Sequence, residues 1–334
     1  MMNPTTPEGA MHMKRYFILG GGIAALSAAK AIRETDKSGL IVMLSGESAF
    51  PYYRPALTKQ LLGSVSAADI AIETAAWYDA PGRDIVTLNG RTVSAINVEK
   101  KTISLKDGNV FTYDKLVYAL GARCFIPAFE GSDRPNVIAV REMTDAIRVR
   151  ELAKSSRNAV VIGGGVLGLE AAWSLHQGGL TVSVVEFDAR VMARQVDADT
   201  SEQIARAMKD HGVKLYTCAS AVRLDDTGLH LKDGRSLPAD LVIVSAGIRA
   251  NAEIAAAAGI RVDRKIIVDE HMQTSAPDVY AAGDCAACGI SYGLWPEAEA
   301  MGRVAGVNAA GGDAAYRAQT PPVHFAGFGL DINA

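Results

Sequence analysis

Apolar and polar positions along this chain switch between two periods, and the switches mark out a repeated unit. Residues 15–19, RYFIL, form a short apolar run that stops at Gly20-Gly21-Gly22. The next stretch, IAALSAAKAIRET, reads as a helix with small residues on the face that must approach a sheet, and LIVML at 40–44 is a second apolar run. Strand, glycine turn, helix and strand in that order predict a β-α-β unit of Rossmann type. The order returns at 158–187 as NAVVI, Gly163-Gly164-Gly165, VLGLEAAWSLHQ and TVSVVEF. The two units are an internal repeat of architecture, not a short solenoid period.

Residues 47–63, ESAFPYYRPALTKQLLG, predict a loop and then a short helix, because the prolines break strands. From 85 to 118 the pattern alternates in a strand-like way, with Lys106-Asp107-Gly108 as a hairpin-like turn. The strand into Ala119-Leu120-Gly121-Ala122 reads as a crossing point into a second domain. Beyond the second glycine run the pattern predicts a helix at about 197–210, a strand at 214–217 and a hairpin around Lys232-Asp233-Gly234. The apolar run LVIVSAG at 241–247 carries the chain back, and the returning segment ends in VYAA and Gly283-Asp284. The expected fold is α/β: two Rossmann-like three-layer nucleotide-binding domains, the second inserted in the first, with a short or incomplete C-terminal α/β segment. The expected boundaries are 14–121 with 246–312 for the first domain, 122–245 for the second and 313–334 for the C-terminal segment. Residues 1–13, MMNPTTPEGAMHM, have no apolar core of a signal peptide and are expected to form a disordered leader.

Composition narrows the class. A chain of 334 residues has room for two cores. A formal net charge of -3 offers no global basic field for nucleic acid. The apolar runs are too short to span a bilayer. Four cysteines, Cys124, Cys218, Cys285 and Cys288, are too few for a secreted disulfide framework. A cytoplasmic location is expected.

The candidate chemistry sits on the two glycine runs. Gly20, Gly22 and Ala25 fit G-x-G-x-x-G/A: a tight turn, a close approach of backbone to pyrophosphate, and a small residue where helix meets strand. Glu47, just past the second strand, is the candidate partner for ribose hydroxyls; a plain exposed turn acid is the bland alternative. Gly163, Gly165 and Gly168 complete the full G-x-G-x-x-G, and Glu186 ends the strand that follows. A carboxylate at Glu186 bonds to ribose hydroxyls and repels a 2′-phosphate, which favours NADH over NADPH, with Arg190 near enough to complicate the choice. Glu170 lies close behind Gly168 near a helix start, where the helix field favours an acid. Two dinucleotide signatures and a late Gly283-Asp284 together suggest FAD in one domain and NAD(P)H in the other.

Over about residues 14–330 the chain resembles the FAD-dependent pyridine nucleotide-disulfide oxidoreductase superfamily. Within it the chain most resembles NADH:rubredoxin reductases and the flavin portion of NADH-dependent assimilatory nitrite reductases. PYYRPALTK at 51–59 and Gly283-Asp284 followed by GLWPEAEAMGRVAG at 293–306 carry that resemblance more specifically than the glycines do. The resemblance implies that Arg54 and Pro55 line the FAD cleft, with Arg54 near the dinucleotide phosphates. It implies that Lys59 reaches the flavin and pairs with Glu170 near its N5 edge. Asp284 would bond to the ribityl chain, and Trp295, Pro296 and Glu297 would lie by the pyrimidine side of the ring. The family's A-T-G stretch reads Ala119-Leu120-Gly121 here, so the backbone turn can persist without the threonine hydroxyl.

The disulfide reductases and the single-cysteine oxidases, peroxidases and coenzyme A-disulfide reductases of the superfamily place cysteine in the segment equivalent to YYRPALTKQLLG, which has none. Its thioredoxin reductases carry a Cys-x-x-Cys in the nucleotide domain, where Cys218 is solitary. Cys285 and Cys288 have CxxC spacing but follow Gly283-Asp284 directly, so a small core residue and a loop residue are expected rather than a redox pair. No metal site is expected, because structural zinc and iron-sulfur sites want four ligands. The implied activity is hydride transfer from NADH to FAD N5, then single electrons to rubredoxin, ferredoxin or an iron-sulfur or haem partner subunit, with no redox-active disulfide. Two alternatives stay open: a FAD/NADH subunit of a larger, nitrite-reductase-like complex, and a slow-turnover FAD-bound sensor. The chain stops at VHFAGFGLDINA, the first part of a small α/β interface domain in that family. A compact member, a truncated chain, and a partner subunit that supplies the rest (as homodimer or hetero-oligomer) are all compatible with it.

Overall fold

Each apolar run that precedes a three-glycine turn becomes the central strand of a five-stranded parallel sheet. The structure, a computed structural model, describes residues 13–318 and 322–334. All of the expected leader except Met13 therefore lies outside the described residues, as do 319–321 of the expected C-terminal segment.

The first sheet has the order Val279–Ala281, Lys115–Tyr118, Arg15–Leu19, Leu40–Leu44, Ile85–Leu88. Every neighbouring pair is parallel, with Arg15 opposite Leu40 and Leu19 opposite both Leu44 and Tyr118. Strands covered on both faces need apolar residues at successive positions, which is why RYFIL and LIVML are unbroken rather than alternating. Ile18, Leu19 and Ile41 are fully buried, each stabilising the sheet by roughly 1.5–3 kcal/mol. The helix Ile23–Thr35 packs on the helix Trp295–Ala309 at near-backbone contact. A Cβ on Gly302 would stand 2.2 Å from Ala24 O, and one on Gly306 2.4 Å from Ala28 O. Two glycines four apart share one helix face, so this crossing is built on the absence of side chains. The buried Arg33 closes the end of Ile23–Thr35 by donating to the carbonyls of Asp36, Gly39, Arg83 and Asp84. An antiparallel meander, Val93–Asn97, Thr102–Leu105 and Val110–Thr112, follows the first sheet's last outer strand, and Gly108 (φ +88°) makes the expected turn.

The second sheet has the order Lys214–Tyr216, Thr181–Val185, Asn158–Ile162, Leu241–Val244, Val137–Ile138, again all parallel. The helix Val166–Gln177 follows the second glycine run, and Ala198–Asp210 starts where the Asp197 carboxylate accepts from Thr200 N at 2.8 Å. A three-stranded antiparallel sheet, Ala221–Asp225, Gly228–Leu231 and Ser236–Leu237, carries the Lys232-Asp233-Gly234 turn. The hairpin His324–Gly327 and Leu330–Asn333 packs on Val166–Gln177, with the rings of Phe328 and Trp173 5.1 Å apart.

The chain divides into two compact units. One comprises the described parts of Met1–Pro51, Ile72–Gly121 and Ala250–Gln319; the other those of Tyr52–Ala71, Ala122–Arg249 and Thr320–Ala334. Sequence boundaries at 14–121 keep residues 52–71 with the first sheet, but their bonds run elsewhere. Arg150 donates to Leu61 O and Val65 O, Leu62 N donates to Ser174 Oγ, and Met143 N donates to the Tyr52 hydroxyl. Among the described residues, no helix is long and apolar enough to cross a membrane.

Candidate functional site

In the first unit the turn after Arg15–Leu19 is tight enough to demand glycine. Gly20 has φ +135°, and a Cβ there would lie 2.1 Å from Ala119 O. Gly22 is the helix N-cap, in extended backbone, and a Cβ there would meet nothing within 4 Å. An open space in front of unpaired helix N–H groups is the steric and electrostatic requirement of a pyrophosphate. Ala25, fully buried, fills the third position. Gly283, with φ +78°, would put a Cβ 3.0 Å from that of Ala24, so the late Gly283-Asp284 turn sits at the first turn of the same helix. Ser45 Oγ accepts from Glu47 N at 3.2 Å, which holds the half-buried Glu47 at the end of the second strand. Two motifs about 260 residues apart in sequence thus meet at the end of the strand Arg15–Leu19, the place where open α/β sheets offer ligands.

The Ala119-Leu120-Gly121 turn does not depend on a threonine. Gly121 has φ +60°, and Asn251 spans the turn, its side-chain amide donating to Leu120 O and its N–H to Gly121 O, both at 2.9 Å. Tyr118 in turn donates its hydroxyl to Asn251 O at 2.8 Å. Trp295 is half-buried against the core and Pro296 is exposed in the first turn of its helix. Glu297 is buried, and its Oε2 accepts from Gly293 N at 2.7 Å and Tyr292 N at 2.9 Å. Its carboxylate therefore organises the loop ahead of the helix.

The second unit repeats the cradle with less tolerance. Gly163 has φ +114° and would put a Cβ 2.3 Å from Ser245 O; on Gly168 it would stand 2.0 Å from Gly163 O. Gly165, the N-cap, again faces open space. Glu186 closes the turn from below: Oε2 accepts from Gly164 N at 2.5 Å and Oε1 from Asp188 N at 2.7 Å. Arg190 donates to three backbone carbonyls, Val196 O at 2.7 Å and Ala193 O and Asp197 O at 2.9 Å. Both cradles fit a dinucleotide.

Arg54, Pro55 and Lys59 fall in the second unit. Arg54 donates to Arg141 O at 2.6 Å and to the Tyr52 hydroxyl at 3.1 Å, with its guanidinium over the Tyr52 ring. Pro55 caps the short helix Ala56–Lys59. Glu170 is 2% exposed, and Lys59 Nζ lies 3.9 Å from its Oε1. The close partner is a residue the sequence did not point to: Thr58 donates its hydroxyl to Glu170 Oε2 at 2.6 Å. Burial lifts the Glu170 pKa above the ordinary carboxylate value, with the Thr58 hydroxyl, the Lys59 ammonium and His324 pulling the other way. Lys59 is 37% exposed and stands at the outer limit of an ion pair, so its charge is partly screened by water and burial prevails.

All four cysteines are free. Cys285 is fully buried among carbonyls of the first unit, its thiol 3.3 Å from Ala282 O, and burial pushes its pKa up to about 12. A thiol so far from its thiolate is inert. Cys288 is half-buried. Among the described residues, no three His, Cys, Asp or Glu side chains are grouped to hold a metal.

The profile of the family described as pyridine nucleotide-disulphide oxidoreductase matches residues 14–302. The assimilatory nitrate reductase electron transfer subunit of Bacillus subtilis (strain 168) is 33% identical over 290 residues, 85% of this chain and 37% of that protein. The rubredoxin-NAD(+) reductase of Pseudomonas putida is 36% identical over 275 residues, 80% of this chain and 71% of that protein. The crystal structure of the ferredoxin reductase for the CYP199A2 system from Rhodopseudomonas palustris matches with a TM-score of 0.88 at 29% identity, covering 94% of this chain and 80% of that one. The chain thus spans little more than a third of the first of these relatives and more than two thirds of the second. With two glycine cradles in one chain and a family match across most of its length, the chain belongs to the pyridine nucleotide-disulphide oxidoreductase family.

Proposed function

We propose that the chain is an NADH-dependent flavoprotein reductase that passes electrons singly to a small redox protein of the rubredoxin or ferredoxin kind. The observation that carries this reading is the pair of cradles, each with an open N-cap glycine and an acid at the end of its second strand. In this reading the Gly20, Gly22 and Ala25 turn holds the FAD pyrophosphate, Glu47 its ribose and Asp284 its ribityl chain. Ala119, Gly121, Trp295, Pro296 and Glu297 supply the first unit's remaining part of the flavin's surroundings. Gly163, Gly165, Gly168 and Glu186 hold NADH. When bound, FAD accepts two electrons and releases them one at a time.

The protein's own contribution is binding, orientation and charge. Glu186 is fixed by two backbone N–H groups, so it presents a pre-set carboxylate to ribose hydroxyls. The Arg190 guanidinium is engaged by three carbonyls and offers no ready partner to a 2′-phosphate, which favours NADH over NADPH. Lys59 and Glu170 form the catalytic pair of this proposal: the ammonium stabilises negative charge as it develops, and the carboxylate keeps the ammonium in place. No nucleophile or metal is required, and the inert Cys285 fits that economy. The cytoplasm is the compartment this activity implies.

A second reading has its own support. The Bacillus subtilis relative is named as an electron transfer subunit, and this chain spans 37% of it. The chain could equally serve as the FAD- and NADH-binding part of a larger oxidoreductase whose acceptor is an iron-sulfur or haem subunit. Anaerobic rapid mixing of the FAD-loaded protein with NADH and, separately, NADPH tests the shared core of both readings. Fast bleaching of the flavin by NADH alone is the expected result, and no bleaching by either nucleotide would overturn both. Reduction of free rubredoxin or ferredoxin after that bleaching then separates the first reading from the second.

A further inference from the structure

We propose that Ser236 is a nucleophilic serine primed to accept an acyl group, with His230 as its general base and Asp225 as the residue that orients the base. The three belong to the antiparallel sheet Ala221–Asp225, Gly228–Leu231 and Ser236–Leu237, and the site uses no residue of either glycine cradle. His230 stands directly opposite Ser236 across that sheet, so their side chains share one face. His230 Nδ1 lies 2.8 Å from Ser236 Oγ. Its other ring nitrogen, Nε2, lies 3.0 Å from both carboxylate oxygens of Asp225. Hydroxyl, imidazole and carboxylate thus follow one another within hydrogen-bond reach, the arrangement that activates a nucleophile.

The carboxylate decides which way round the imidazole works. Hydrogen bonds from Thr227 and then His230 hold the Asp225 carboxyl well below the usual carboxylate range, against a small opposing effect of burial. The Thr227 N–H and hydroxyl both donate to Oδ1, at 2.9 Å and 2.5 Å. An ionised carboxylate only accepts, so the hydrogen of the neutral ring sits on Nε2. Nδ1 is then the bare acceptor, and Ser236 donates its hydroxyl to it. Arg223 Nη2 stands 3.5 Å from Nε2, at the limit of a hydrogen bond, and closer to Asp225 Oδ2, at 3.0 Å, so the carboxylate prevails at that nitrogen. Ser236 is exposed, whereas His230 and Asp225 are half-buried behind it. The reacting oxygen is therefore open to solvent while the groups that activate it are held.

In the proposed step Ser236 Oγ attacks the carbonyl carbon of an activated acyl donor (a thioester, an acyl phosphate or an aryl ester). The bond from Oγ to that carbon forms, and the bond from the carbon to the leaving sulfur or oxygen breaks. The serine proton passes to His230 Nδ1 and from there to the leaving group; nothing is oxidised or reduced. An exposed serine meets its donor from solvent without the binding energy of a cleft, so the donor must carry a good leaving group.

The test incubates the full-length, FAD-loaded protein with p-nitrophenyl acetate at mildly alkaline pH and maps ester-linked acetyl groups by peptide mass spectrometry. Ser94 is the internal reference, an exposed serine whose hydroxyl donates to a backbone carbonyl, Ser104 O, at 3.1 Å rather than to an imidazole. Ser236 is expected to be acetylated about a hundred-fold faster than Ser94. His230→Gln is expected to bring Ser236 down to the Ser94 rate. Nitrogen NMR of the His230 ring is expected to show Nδ1 without a proton in the native protein. In Asp225→Asn the amide donates to Nε2, so the proton should move to Nδ1 and acetylation of Ser236 should fall. Equal rates at Ser236 and Ser94 in the native protein would overturn the proposal. An undiminished Ser236 rate in His230→Gln, or a proton on Nδ1 of the native protein, would overturn it as well. The native measurements need no variant, so a variant that fails to fold leaves the test intact, and none of these outcomes bears on the NADH reading.

Discussion

Thr58 and Glu170, 112 residues apart, share a buried 2.6 Å hydrogen bond that anchors the segment 52–71 to the helix Val166–Gln177. A hydroxyl that donates to a buried carboxylate contributes about 1.5–3 kcal/mol, more than a neutral pair would. Thr58→Val keeps the shape and removes the donor, leaving Lys59 at 3.9 Å as the nearest cation. We expect it to lower unfolding free energy by about 2 kcal/mol at pH 7.5. In a Glu170→Gln background the same change should cost about half as much, because the partner is then neutral. A double-mutant cycle by urea denaturation measures both, and additive effects would show that the bond carries no coupling.

Burial raises the Glu170 pKa above its ordinary value of 4.5. A raised carboxyl pKa means that the fold prefers the protonated form. That contribution is fully present below the unfolded value and is lost as pH rises through the folded one. Native protein should therefore lose stability relative to Glu170→Gln as pH climbs above 4.5, and the difference should level off once the buried carboxyl is fully ionised. Thermal melts of the two proteins from pH 4.5 to 8 check this. Parallel curves would mean that Thr58, Lys59 and His324 offset the burial completely.

The glycines divide into those the fold needs and those the proposed ligands need. Gly22 and Gly165 have extended backbone and open space where a Cβ would be, so alanine there leaves the fold alone and fills the place a pyrophosphate would take. Gly168 has Gly163 O at 2.0 Å from its would-be Cβ, so alanine there must shift backbone. We expect Gly165→Ala to melt like the native protein without nucleotide and to bind NADH at least about ten-fold more weakly. Gly22→Ala should likewise melt normally as apoprotein and lose FAD on gel filtration. Gly168→Ala should cost about 1–3 kcal/mol of stability before any ligand is added. Native-like NADH affinity in Gly165→Ala would remove the second cradle from the proposal.

How much of this was legible beforehand follows from how local each requirement is. A tight turn, a helix start and a buried parallel strand are decided within a few residues, so Gly20-Gly21-Gly22, Gly163-Gly164-Gly165 and their flanking runs declare themselves in the pattern. The acids Glu47 and Glu186 are proposed on the same kind of local signal, their position past a strand end. The Thr58 bond to Glu170 and the Arg150 bonds to Leu61 O and Val65 O join residues 85 or more apart, and no periodicity encodes them. They are also what draws residues 52–71 to the second unit. The crossing of Ile23–Thr35 with Trp295–Ala309 lies between: Gly302 and Gly306 are a visible four-residue spacing, but their partners Ala24 and Ala28 are visible only in the fold.

In the proposed function Glu186 has two tasks, and removing it ends both. Its carboxylate fastens the loop by accepting from Gly164 N and Asp188 N, and in the proposed function it also accepts from ribose hydroxyls. Glu186→Ala strips both backbone donors of their partner at a half-buried site, for which a loss of about 1–2 kcal/mol of stability is expected. NADH affinity should fall by about ten-fold or more, since charge-assisted bonds to the ribose disappear with the carboxylate. NADPH affinity should rise little. Repulsion of the 2′-phosphate is gone, but Arg190 remains tied to Val196 O, Asp197 O and Ala193 O and supplies no new attraction. Preference should thus narrow through weaker NADH binding rather than stronger NADPH binding, which direct titration of both nucleotides resolves. A large gain in NADPH affinity would mean that Arg190 leaves its three carbonyls once the acid is removed, and that the loop between residues 186 and 197 is a selector held shut by Glu186.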